Sequence, residues 1–250
     1  MPLDYARETG ANFVTSAALD AARARASIVE PQQSFDHQRL WAELLWAPSF
    51  CFNLFGDLAA DLARADRAVH AWWPDTPGTV VDVRFAHSPG RLDMAYIGNL
   101  SAFDVAFVLD LGDGPQGVVG VRTAYYDRTY RQPPKPKRLA RYTEVTEASG
   151  AFASGWLDPV NGTELVHLWL EHALLLSMLQ HPSGEWAWGR YVVVHPAGNV
   201  DFVNACAEYR TLLADDSTFD AVTVEQLLAS RALPRAAITA LRDRYLPTFD

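Results

Sequence analysis

The chain has 250 residues, 49% of them hydrophobic and 20% charged, a composition suited to a full core in one domain with small additions at its ends. Its formal net charge of -9 opposes non-specific adhesion of the whole molecule to nucleic acid. The longest apolar stretch, 165–180, is interrupted by His167, Glu171 and His172, so it falls short of the roughly 20 apolar residues of a membrane span. Residues 1–8 lack a basic region followed by an apolar one, and no secretory signal is expected. Cys51 and Cys206 lie far apart in apolar surroundings, with no Cys-x-x-Cys spacing. Free, buried thiols in a reducing compartment are expected, hence a cytoplasmic location.

Residues 1–33 read as one or two helical pieces forming an N-terminal arm, since 17–25 is rich in good helix formers. Pro31 ends this part, and Ser34 with Asp36 is placed to cap the next helix. From 35 to 68 the pattern is helical with a break at Pro48: Trp41, Leu44 and Leu45 form one apolar stripe, and Phe52, Phe55, Leu58 and Leu62 another. Glu43 falls on the first of these helices. Residues 79–85 alternate apolar and polar side chains, the mark of a strand with one wet face. Residues 87–91 form a turn.

Two further strands, 103–109 and 117–125, are dense in β-branched and aromatic residues and flank a turn rich in Asp, Gly and Pro. Asp104 interrupts the first and Arg122 the second. Charges in buried strands need a partner or a task. Residues 128–141 carry six cations and no acid: Arg128, Arg131, Lys135, Lys137, Arg138 and Arg141. Pro133, Pro134 and Pro136 predict an extended, non-helical segment. With Tyr125, Tyr126, Tyr130 and Tyr142 it is the basic and aromatic mixture that suits single strands or phosphates, as well as a solvated loop. The helical period over 165–180 predicts a helix with His172 in its apolar side. A buried strand at 190–195 comes next, then helices at 200–214, 224–231 and 234–245. The sequence thus predicts a single domain over 1–250, with the arm at 1–33, a core over 35–213 and C-terminal helices over 214–250.

An Asp at the start of one strand, a turn, and a second strand with two positions separated by one residue resembles the layout of the PD-(D/E)XK nucleases. The order helix, three strands, helix, strand resembles their restriction-endonuclease-like αβββαβ core, an α/β fold with a mixed central sheet flanked by helices and here extended by helices at both ends. The turn and its lead-in resemble a bacterial branch of that superfamily. In the family, the Asp and the acid of a Glu-x-Lys pair hold a divalent metal, and the Lys assists the attacking water. By this resemblance Arg122 stands at the acid position and Ala124 at the lysine position. Only Asp104 remains of the three. The resemblance also offers Glu43 as an extra acid from the first core helix, and implies a glutamate where Ala86 stands.

Arginine has five donors, no acceptor and a permanent charge, so it cannot ligate a metal. A pair between Arg122 and Asp104 across the strands is expected in its place. Losing a charge that steadies the phosphate costs on the order of 10²–10³ in rate. The leading expectation is therefore a catalytically silent member without a metal cofactor, which binds nucleic acid through the 128–141 segment or binds a protein partner. The alternative is an active Mg²⁺-dependent DNA endonuclease whose acids have relocated among Glu43, Asp82, Asp93 and Asp104. A small-molecule enzyme using His87 or His195 has no supporting motif.

Overall fold

The computed structural model describes residues 1–28, 30–33, 35–112 and 114–246. Helices α1 (Leu3–Thr9), α2 (Ser16–Ala26), α3 (His37–Ala42), α4 (Ala47–Ala59) and α5 (Leu62–Trp72) precede the strands β1 (Thr79–His87), β2 (Phe103–Asp110) and β3 (Gln116–Thr123). Then come α6 (Pro136–Ser149), α7 (Leu157–Val160), α8 (Val166–Leu179), β4 (Trp186–His195), α9 (Val200–Arg210), β5 (Phe219–Thr223), α10 (Val224–Ala229) and α11 (Arg235–Tyr245). The sheet runs β1-β2-β3-β4-β5. β1, β2 and β3 form an antiparallel meander, whereas β4 and β5 join it in parallel.

Both faces of this mixed sheet are covered, and the period of two in its strands decides which residue serves which face. Val105, Phe107, Leu109, Val119 and Val121 pack into one core with α2, α4 and α5. Ala106, Val108, Val118, Tyr191 and Val193 pack into the other with α6, α8 and α9. Cys51 lies in the first layer and Cys206 in the second, both free and buried. The helix α4 touches α2 so closely that a Cβ on Gly56 would lie 2.5 Å from the Ala18 Cα. His172 is buried in α8 and lies 3.0 Å from the Tyr209 hydroxyl and 2.9 Å from Thr218 Oγ1. It is the satisfied core histidine that the helical period predicts.

The sequence reading differs from the fold at several points. The basic segment is extended only as far as Lys135; from Pro136 it is helix, because proline at the first helical position lacks only an N–H that would be unsatisfied anyway. Lys137, Arg138 and Arg141 therefore ride on α6. β5 is an edge strand that the sequence reading passed over. α3 ends at Ala42, so Glu43 is not on the helix but is the extended residue that stops it. Asp36 caps α3 by accepting from the Gln38 and Arg39 amides, while Ser34 lies outside the described residues. No helix among the described residues is long and apolar enough to cross a membrane.

Candidate functional site

Where β2 begins and β3 ends, the antiparallel register pairs Val105 with Val121, so Asp104 and Arg122 come opposite one another one step further on. Their side chains nevertheless take different partners. Asp104 Oδ2 accepts from the Thr123 amide at 2.6 Å and from the Thr123 hydroxyl at 2.9 Å. Arg122 Nη1 donates to Glu171 Oε1 on α8 at 2.5 Å, and Glu171 Oε2 accepts from the Tyr191 hydroxyl on β4 at 2.7 Å. The expected direct pair between Arg122 and Asp104 is thus replaced by a pair with Glu171. The cause lies in the sheet: Arg122 points to the α8 face, where the acid waits, whereas Asp104 is drawn sideways by two donors of Thr123.

Arg122 remains close enough to feel Asp104 and Asp127 electrostatically. Burial pushes the carboxyls of Asp104, Glu171 and Asp127 above the usual range, and Arg122 opposes that rise in all three. Burial alone would lower the Arg122 pKa, but Glu171, Tyr191 and Asp104 together raise it. The guanidinium therefore stays charged among three acids. Its carbon also lies 5.8 Å from the Phe202 ring centre, within cation–π range.

The other residues singled out in the sequence lie apart from this centre or do different work. Ala124 is fully buried in the α8-side core, and its amide donates to the Val194 carbonyl at 2.8 Å. A lysine there would have to bury its ammonium. Glu43 is half exposed and pairs with Arg39 at 2.8 Å. Asp82 is tied to Arg84 and to the Val83 amide. It sits opposite Val108, four residues along β2 from Asp104, or about 13 Å at roughly 3.3 Å per residue. Asp93 accepts from the Ala95 amide. In the basic segment, Arg131 pairs with Glu164, and Arg141 is held by Glu144 and the carbonyls of Ala95 and Tyr96. Arg128, Lys135, Lys137 and Arg138 have no salt-bridge partner among the described residues. Sequence reasoning missed Glu171, Tyr191 and Asp127. The signal for Glu171 was available, because it is the one charged residue in the otherwise apolar run of α8.

The model of the PD-(D/E)XK nuclease superfamily matches residues 2–247, nearly the whole chain. The chain belongs to that superfamily. Its five-stranded mixed sheet with flanking helices agrees with the restriction-endonuclease-like fold of PD-(D/E)XK proteins. Searches of curated proteins and of solved structures returned no match.

Superfamily membership implies a divalent metal, so the fit of the present side chains can be tested. Mg²⁺ takes oxygen ligands, one or two of them carboxylates with lone pairs to spare. Arg122 brings donors only, Glu171 is engaged by Arg122 and Tyr191, and Asp104 Oδ2 is engaged by Thr123. Among the described residues, no group of three or more His, Cys, Asp or Glu side chains is placed to hold a metal ion. The residues present do not fit the ion.

Proposed function

We propose that this PD-(D/E)XK protein binds nucleic-acid phosphates without cutting them. The observation that carries the reading is the Arg122–Glu171 pair, a fixed cation on the strand position that the sequence resemblance assigns to the superfamily's metal-ligating acid. It supplies the positive charge that the surrounding carboxyls need, and itself offers an ion no acceptor. With Ala124 at the lysine position, the chain has no group there to steady charge on the phosphate, and no route to a metal-activated water.

Binding is supported by the segment leading into α6. The first turn of that helix carries Lys137 and Arg138, no acid, and no side-chain cap. The positive end of its dipole already favours an anion, and two cations in the same turn add to that preference. Lys135, Arg138, Tyr130 and Tyr142 line one cavity of about 440 Å³ against His167 of α8.

The test has two arms. Incubation of plasmid and single-stranded DNA with Mg²⁺ or Mn²⁺ is expected to give no products, and calorimetry with either metal no binding. Micromolar metal binding abolished by Asp104→Ala would establish an active enzyme instead. Electrophoretic shift with short DNA at low salt is expected to show a complex that Lys135→Gln/Lys137→Gln/Arg138→Gln weakens. A complex unaffected by those changes, or none at all, would move the role to a protein partner.

A further inference from the structure

A second cavity, of about 150 Å³, opens on the other side of Asp104 from Arg122's ion pair, between α4 and the start of β2. Its walls are the aromatic rings of Phe35, Trp46, Phe52 and Phe103. Those rings are already fixed from behind. The Arg25 guanidinium lies 5.9 Å from the Phe35 centre and that of Arg39 5.1 Å from the Trp46 centre, and Phe52 stacks on Phe85 at 4.3 Å. A cavity of roughly this volume accommodates a benzene-sized ring. Flat walls and one-ring capacity select a small planar molecule.

One polar group on the wall has bonding capacity left towards the slot. Asp104 engages Thr123 through Oδ2 alone, so Oδ1 has no donor among the described residues. The wall's Arg91 is held by Glu30 and the Ala86 carbonyl. A spare carboxylate acceptor at the edge of an aromatic slot selects a ring that carries an N–H donor.

The geometry points to a binding site for a single planar ring bearing an N–H, of the size of a pyrimidine base. The N–H donates to Asp104. The site does not depend on the phosphate-binding reading, because neither its walls nor its polar atoms belong to the 128–141 segment.

Titration of the isotope-labelled full chain with free uracil, followed by amide chemical shifts, is expected to give saturable changes around Asp104. The probe 1,3-dimethyluracil has the same ring and no N–H, and is expected to bind about tenfold more weakly, the size of one lost hydrogen bond to a charged group. In Asp104→Asn the amide oxygen retains the Thr123 bonds and an NH₂ group faces the ring. Uracil is expected to weaken about tenfold while dimethyluracil does not, so the two bind alike, a loss of discrimination that mere loosening of the fold would not produce. Ala102→Leu fills the slot and is expected to abolish both; should it fail to fold, the loss of discrimination in Asp104→Asn decides. Uracil that does not saturate, or equal affinity for the two probes in both proteins, would overturn the site. An oligonucleotide containing one uracil, compared with its abasic counterpart, separates two sources of the ring. Tighter binding of the uracil strand assigns a base within a strand, and equal binding assigns a free ring.

Discussion

Arg122 and Glu171 form a pair whose side chains are 24% and 12% exposed, so removing one partner strands a charge in poor solvent. Arg122→Met is expected to cost about 3 kcal/mol in denaturant unfolding, and Arg122→Met/Glu171→Leu clearly less than the two single changes added together. An additive double variant would mean that the two side chains do not depend on each other. His172 offers a second test. Burial lowers its pKa to about 3, against an unfolded value near 6.5. The neutral ring's contribution to stability is thus complete above pH 6.5 and is lost as pH falls from there towards 3, at about 1.4 kcal/mol per pH unit. His172→Gln can keep both hydrogen bonds without the titration. The stability difference between wild type and variant should follow that slope below pH 6.5 and be flat above it. At this scale the sequence disclosed Asp104 and Arg122, because a charge inside a β-branched run stands out. It concealed which acid Arg122 meets, since Glu171 lies 49 residues further along the chain and only the packing of α8 on the sheet, chiefly on β4, brings it near.

Elements were legible where one local period governed them. The strands β2 and β3, the helix α8 and the helix after Pro48 emerge from local pattern, whereas the stripe expected before Pro48 holds only to Trp41, because α3 stops at Ala42 and leaves Leu44 and Leu45 exposed beyond it. Pro136 misled because proline argues against a helix interior and in favour of a helix start. The residues after it make the choice: Tyr142, Val145 and Thr146 bury one side of α6. β5 escaped because five residues with mostly half-buried side chains give no strong alternation. It exists because β4 offers it a parallel edge. The seam between α2 and α4 gives the prediction for this scale. Gly56→Ala would set a methyl 2.5 Å from the Ala18 backbone, so the helices must part. A loss of about 1–3 kcal/mol in thermal or denaturant unfolding is expected, and a neutral result would mean that the seam is looser than its distances imply.

For the whole molecule, the balance of charge sets how nucleic acid can be met. A net charge of -9 repels a polyanion at a distance, so attraction has to come from the cations of one face and must fade quickly with salt. The logarithm of affinity should fall linearly with the logarithm of salt concentration. Each of Lys135→Gln, Lys137→Gln and Arg138→Gln should flatten the slope by about 0.9 if that residue meets a phosphate of a duplex. An unchanged slope would remove the residue from the interface. The overall architecture was readable because an order of elements survives uncertainty in their ends. The division of Asp104 and Arg122 between different partners was not, because it depends on a sideways turn at the end of a strand.

The two thiols provide a use for the double-layered core. Burial raises the Cys51 pKa well above its ordinary value and pushes Cys206 up to about 12, so neither is a ready nucleophile while the layers stay closed. Cys206 is therefore a clock for the α8 side of the sheet, while Cys51, which also lines the aromatic slot beside Asp104, reports how readily a reagent reaches that slot. Timed alkylation read by mass would follow the two places separately, without any label being introduced.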